Sequence, residues 1–347
     1  MRPLLSGSPG CATLVTSRIR LAELPGSRLV HLEALGHGDA LAMLSHIIGT
    51  GRARTDLRAM SDLVACCAGL PLAVVTAGAR LNSRPQWQIK DLAERFRTNR
   101  SRLSELSSGD LAVGATIDLS YAALAGQRVP DGPPLTTTLQ MLGLWNGADL
   151  GAAAMAAMLA APEPATERTL EAALVNLSLV ESRRAGRYRL HDLVHEYAAE
   201  KAAGQLPQKM RAEAIQRLLL WYLYGVDAAN ESAERHHRRL PAAQMPAKPD
   251  SAPGFHDVAS ASAWLEGERP NMVAITELAA GYRLHELLWR LPWLLEEFFF
   301  SRGHRGDWAR TCEIGIKSAR QIGGVMAEMP ELARWTVTPV WWPWHRQ

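Results

Sequence analysis

The sequence is short of cysteine, of any strong excess of one charge, and of long apolar runs. Each shortage removes a class of protein. Four cysteines occur in 347 residues (Cys11, Cys66, Cys67 and Cys312), and none forms a CxxC pair. Adjacent Cys66 and Cys67 suit neither a disulfide framework nor a zinc site, so no metal is expected and a reducing cytoplasm is the expected setting. Lysine and arginine number 38 against 35 acidic residues, a net charge of +3. That is too little for a nucleic-acid surface unless the charge is locally clustered. The longest apolar run, Leu150 to Ala161, has 12 residues, whereas a bilayer span needs about 20. It reads as a buried helix, and no membrane partner is expected. Met1 to Gly10 carries one Arg followed by Ser, Gly and Pro, not the apolar core of a signal peptide. Finally, the chain has no Gly-Lys dipeptide, so the phosphate-cradling GxxxxGK[ST] loop is not encoded.

What remains is an ordinary globular composition, 47% apolar and 21% charged, long enough for two or three domains. The segment ATLVT, residues 12–16, reads as a buried parallel strand ending in the polar trio Thr16, Ser17 and Arg18. From Gly38 the apolar residues Ala40, Leu41, Leu44, Ile47 and Ile48 recur on one helical face. A second helix is expected from Asp56 to Cys67, with Gly69 as its C-terminal cap. Pro71 then opens a third helix, Leu72 to Leu81. Further helices are expected at Leu111 to Leu124, Thr137 to Trp145, Leu150 to Leu159 and Glu167 to Asn176. Two strands then turn around Arg-Ala-Gly, and Asp192 caps a final helix. Helices followed by such a wing make a winged-helix pattern. Beyond it the chain reads as helical, with a Pro-, Ala-, His- and Arg-rich linker at 231–253. Trp264, Leu265, Trp289, Leu294, Phe298 and Trp308 recur at helical spacing from 261 to 323, as in a helical repeat array. Four of the 11 tryptophans fall in the last 13 residues, which hold no helical period.

Three motifs stand in order: LVTSR (Leu14 to Arg18), GLPLAVVTAGARL (Gly69 to Leu81) and RYRLHDLVHEYAAE (Arg187 to Glu200). Together they resemble the STAND class of signalling NTPases with an NB-ARC-type module, and most of all the actinobacterial AfsR/SARP-type transcriptional regulators. The resemblance covers residues 4 to 320. It implies a mainly α architecture: a remnant strand of a P-loop α/β domain (1–36), a helical ARC1-like subdomain (37–108), a winged-helix domain (109–204), a TPR-like helical region (205–330) and an irregular tail (331–347). It implies ADP or ATP as cofactor. Thr16, Ser17 and Arg18 would lie at the terminal phosphate, with Arg18 as the sensor arginine. Gly69, Leu70 and Pro71 would lie beside the adenine, and His191, in the triplet Leu190-His191-Asp192, would touch the β-phosphate of ADP. Taken alone, each has a plain alternative: a surface ion pair for Arg18, a helix-start signal for Pro71 and a structural histidine at 191.

In that family a phosphate loop and Walker B carboxylates precede the TSR strand, and here Met1 falls just before it. The expectation is therefore a chain whose phosphate cradle was left behind, and whose end was interrupted. Losing three charge-assisted phosphate bonds removes about 5–9 kcal/mol, taking a nanomolar site to about 10 µM at best. Hydrolysis is not expected, because neither magnesium ligands nor a water-positioning group is encoded. Two rivals can be stated. A DNA-binding winged helix would use wing arginines Arg183, Arg184, Arg187 and Arg189 on phosphates, but Arg168 is the one basic residue of its expected recognition helix, which argues against direct DNA binding. A metallohydrolase would use His191 and His195 with Glu196, yet HDLVHE is not HExxH and has no third ligand; His236 and His237 fall in the linker. Protein partners, or self-association, are expected through the TPR-like region.

Overall fold

Helix α1 (His37–Ile48) buries Ala40, Leu44 and Ile48, the stripe set by its apolar spacing. A computed structural model describes residues 14–16, 28, 30, 32–98, 113–175, 179–232, 240, 244–249 and 251–322. After the short α2 (Thr50–Ala53) comes α3 (Leu57–Cys66), which starts where Asp56 accepts a hydrogen bond from the amide of Ala59 at 2.9 Å. Helix α4 (Pro71–Asn82) has its proline at the first helical position, where a missing N–H costs nothing. Helix α5 (Ile89–Thr98) closes this subdomain by packing on α3. Arg52 ties the group together, donating to the carbonyls of Leu81 at 2.8 Å and Trp87 at 2.6 Å.

Cys67 lies in this core, fully buried. Burial, helped by neighbouring Cys66, pushes its thiol up to about 12. At pH 8 the native chain is expected to leave Cys67 unmodified by iodoacetamide over a time that fully labels it in urea. Equal labelling rates in the two conditions, read by peptide mass spectrometry, would contradict this burial.

The second group begins with α6 (Val113–Leu124) and α7 (Leu135–Gly143). Strand β1 (Leu150–Gly151), α8 (Ala152–Leu159) and α9 (Glu163–Thr169) follow; the chain then continues as a π-helical stretch, Leu170–Val175. Strands β2 (Glu181–Arg184) and β3 (Arg187–Arg189) form the wing around the turn at Gly186. The sheet order is β1-β3-β2, antiparallel, with Leu150 opposite Tyr188 and Glu181 opposite Arg189. Helix α10 (Asp192–Gln205) packs along α7.

The third group is helical throughout. Helix α11 (Gln208–Ser232) runs against α8 on one side and against α12 (Val258–Gly281) and α14 (Arg290–Ser301) on the other. It therefore joins the winged-helix part to the array. Arg217 on α11 reinforces that junction by donating to the carbonyl of Met158 at 2.7 Å, at the C-terminal end of α8. A short α13 (His285–Leu288) and α15 (Arg305–Ile322) complete the described array. Of the six large residues at helical spacing, Leu265, Trp289, Leu294 and Phe298 are buried, and Trp264 and Trp308 pack against the core.

The mainly α reading with a small sheet holds, but five local expectations are corrected. Residues 14–16 form no strand and are exposed, Leu14 at 93%. The wing sheet has a third strand, β1, at the start of the expected Leu150 helix. The single helix expected from Glu167 to Asn176 is two pieces, α9 and the π-helical stretch. Helix α10 is capped at His191, not Asp192, which is already its first helical residue. Of the expected linker, 231–232 complete α11, and its described residues from 240 onward include buried Leu240. His236, His237 and the Trp-rich tail lie outside the described residues.

Candidate functional site

The segment between α3 and α4 turns sharply because two successive residues, Ala68 (φ 50°) and Gly69 (φ 72°), are left-handed. The amide of Leu70 bonds back to the carbonyl of Cys67 at 3.0 Å, and the carbonyl of Gly69 accepts from the amide of Leu35 at 2.8 Å. A Cβ on Gly69 would sit 2.6 Å from the carbonyl oxygen of Leu35, so glycine is required by space as well as by φ. This geometry turns the carbonyl of Ala68 out of the subdomain. Pro71 stands exposed beside it, flanked by half-buried Leu70 and Leu72.

The outward carbonyl meets His191. Its Nε2 lies 2.8 Å from the oxygen of Ala68, and because a carbonyl can only accept, Nε2 carries the hydrogen and donates. His191 is extended (φ −63°, ψ 145°) at the N-terminal cap of α10, with its ring turned away from the helix's own amides. Its Nδ1 is buried and has no hydrogen-bond partner. The hydrogen bond spans 123 residues of sequence and crosses between the first helical group and the winged-helix part. Among the described residues, no helix of 37–98 lies along a helix of 113–322. His191 stands in the seam between the two groups.

Of the sequence-derived site residues, the structure brings Gly69, Leu70, Pro71 and His191 to this seam. Thr16 is exposed. Ser17 and Arg18 lie outside the described residues. His191 and His195 do not converge: His195 Nε2 lies 2.8 Å from the carbonyl oxygen of Trp145, a different partner. Among the described residues no group of three or more His, Cys, Asp or Glu could hold a metal ion. A cleft of about 400 Å³ borders the start of α10, lined by Trp145, Asn146, Tyr188, Arg189, Asp192 and His195 among others.

The wing holds an ion cluster that sequence reasoning missed. Arg187 at the start of β3 pairs with Asp149, its Nε 3.0 Å from Oδ1, and with Glu268 on α12. Glu268 is 5% exposed, and its second oxygen, Oε2, accepts from the Tyr222 hydroxyl at 2.9 Å and the Asn271 amide at 2.8 Å. Burial opposes the guanidinium charge, but hydrogen bonds and charge from Glu268 and Asp149 outweigh it and hold the group above its ordinary range. Burial also raises the Tyr222 hydroxyl, with Glu268 adding to it, so that phenol stays protonated. Arg189 pairs with Glu181 at 2.9 Å. Two of the four arginines proposed for DNA phosphates are thus engaged with carboxylates. Arg184 is exposed, and the side chain of Arg183 lies outside the described residues. Nothing in the run RRAGRYR marks one arginine as buried, since its partners lie 38 and 81 residues away.

No protein-family model matches the chain. Two curated proteins are similar to it, both bearing the name Regulatory protein AfsR. That of Streptomyces coelicolor is 38% identical over 310 residues, which is 85% of this chain and 30% of the relative. That of Streptomyces griseus is 42% identical over 239 residues, 68% of this chain and 24% of the relative. The chain thus spans less than a third of the length of either relative.

Proposed function

We propose, starting from the similarity to two proteins named AfsR, that this chain is a regulatory portion of an AfsR-type transcription regulator. Its seam at Ala68 and His191 is the place where a nucleoside diphosphate is read. The observation that carries this reading is the His191 hydrogen bond to the Ala68 carbonyl, which sets the histidine of the third motif against the turn of the second. The residues fit such a ligand in two respects. Pro71 and Leu70 offer an exposed, apolar approach at a helix start. His191 is a hydrogen-bond donor at the head of a 14-residue helix.

In this reading Gly69, Leu70 and Pro71 line the base, the Nε2–H of His191 passes from the Ala68 carbonyl to a phosphate oxygen, and Thr16, Ser17 and Arg18 serve the terminal phosphate. The nucleotide supplies negative charge that a donor from each side of the seam can share, and so a reason for the two groups to stay together. The chain itself binds and orients; it encodes no group to activate water, and phosphate release is not proposed. No helix among the described residues is long and apolar enough to cross a membrane. The helical array, which carries exposed Phe300 packed edge-on against Trp308, is the part assigned to protein partners.

Calorimetric titration with ADP tests this. Saturable binding weaker than about 10 µM is expected, the weakness following from the absent phosphate loop. His191→Ala, with its helical circular dichroism unchanged, is expected to abolish the binding. Binding of equal strength in that variant, or none up to millimolar ADP in the parent chain, would overturn the reading.

A further inference from the structure

The ion cluster and the seam are joined by one short strand. Arg187, at the start of β3, is fixed by Glu268 of the helical array; His191, two residues beyond the end of β3, holds Ala68. Three residues of extended chain lie between Arg187 and His191, a span of about 13 Å with little slack. On the array side Glu268 is equally constrained. Tyr222 and Asn271 fix its Oε2, and the next residue, Arg269, pairs with Asp307 at the start of α15. A chain of bonded groups therefore runs from α15 through α12 and β3 to the turn before α4. All but its last contact lie within one packed body, because α11 fastens the array to α8. That last contact, His191 on Ala68, crosses the seam.

We propose that Glu268 is a positioning residue for the His191 contact. The array sets where Arg187 sits, β3 transmits that position, and a partner that shifts α12 releases Ala68 from His191. The coupling lies in a contiguous set of polar contacts whose far end is the His191–Ala68 hydrogen bond across the seam, so a displacement of either end is felt at the other. It deepens the regulatory reading by naming what the array acts on, but the contacts alone carry it and no nucleotide is needed to test it.

Hydrogen exchange of the full chain without nucleotide, read by mass spectrometry, makes the test. In Glu268→Gln, peptides covering residues 66–72 are expected to exchange about tenfold faster than in the parent, as they should in His191→Ala. Tyr222→Phe, which removes one donor to Oε2 while keeping the ring, is expected to move the same peptides in the same direction by less. It keeps the test open should Glu268→Gln unfold. Glu313→Gln, breaking the exposed Glu313–Lys317 pair on α15, should leave those peptides at the parent rate. Faster exchange confined to 145–151 and 219–225 in Glu268→Gln, with 66–72 unchanged, would overturn the proposal. So would parent-like exchange of 66–72 in His191→Ala. A failure to bind ADP would leave these outcomes unaffected, so this inference and the nucleotide reading can fail separately.

Discussion

Replacing Glu268 with alanine is expected to lower stability by about 3 kcal/mol, because it strands a largely desolvated guanidinium. Glu268 Oε1 faces Arg187, whose side chain is 23% exposed against 6% for Glu268. Asp149 remains on the other side of Arg187, which places the loss at the lower end of what breaking a buried pair costs. The melting temperature should fall by about 4 °C for a chain of this size. Glu181→Ala serves as the contrast. The Glu181–Arg189 pair is 2.9 Å apart with both side chains about one-third exposed, and water already solvates it, so less than about 1 kcal/mol is expected. Replacing Arg187 and Glu268 together with methionine should recover much of the single-variant loss, since neither charge is then buried alone. Equal losses for Glu268→Ala and Glu181→Ala in urea denaturation would contradict the buried placement of Glu268.

The second large effect is expected at the turn. Gly69→Ala meets two penalties, a left-handed backbone costing about 1–2 kcal/mol and a Cβ placed 2.6 Å from the Leu35 carbonyl oxygen. Together they should destabilise the first helical group by about 2–4 kcal/mol. Gly186 in the wing has a similar φ of 70° but nothing within 4 Å of an added Cβ, so Gly186→Ala should show the backbone penalty alone. Melting curves of the two variants separate the steric part from the conformational part. A Gly69→Ala chain no less stable than Gly186→Ala would mean that the turn does not pack on residues 34–35 as described.

Helix starts were the most legible features, because the signals that make them are local. Asp56 caps α3 and Pro71 opens α4 through chemistry carried within three or four residues. The wing was legible for the same reason: a glycine between two short polar strands bends only one way. The cap of α10 was misassigned because an aspartate at position 192 has the right side chain, while the backbone leaves the helix one residue earlier and the His191 ring is drawn to Ala68. Strand β1 escaped notice because two residues carry no period, and Leu150-Gly151 merges with the alanine-rich run that follows. The extended reading of residues 12–16 rested on apolar, β-branched content alone. A strand also needs neighbours to bond, and residues 14–16 pair with no strand among the described residues. Of the candidate site, the motifs named Gly69, Leu70, Pro71 and His191, but not that the histidine would meet the carbonyl before the glycine. Glu268 carried no signal at all; its role comes from an 81-residue separation that only folding closes.

The claim that the turn at 68–71 and the histidine at 191 read one ligand together is tested most directly by a hydrogen-exchange footprint with and without millimolar ADP. Simultaneous slowing in peptides covering 68–72 and 189–195, absent with AMP and lost in His191→Ala, is the predicted result. Slowing in one of the two segments without the other, or in neither, would contradict it.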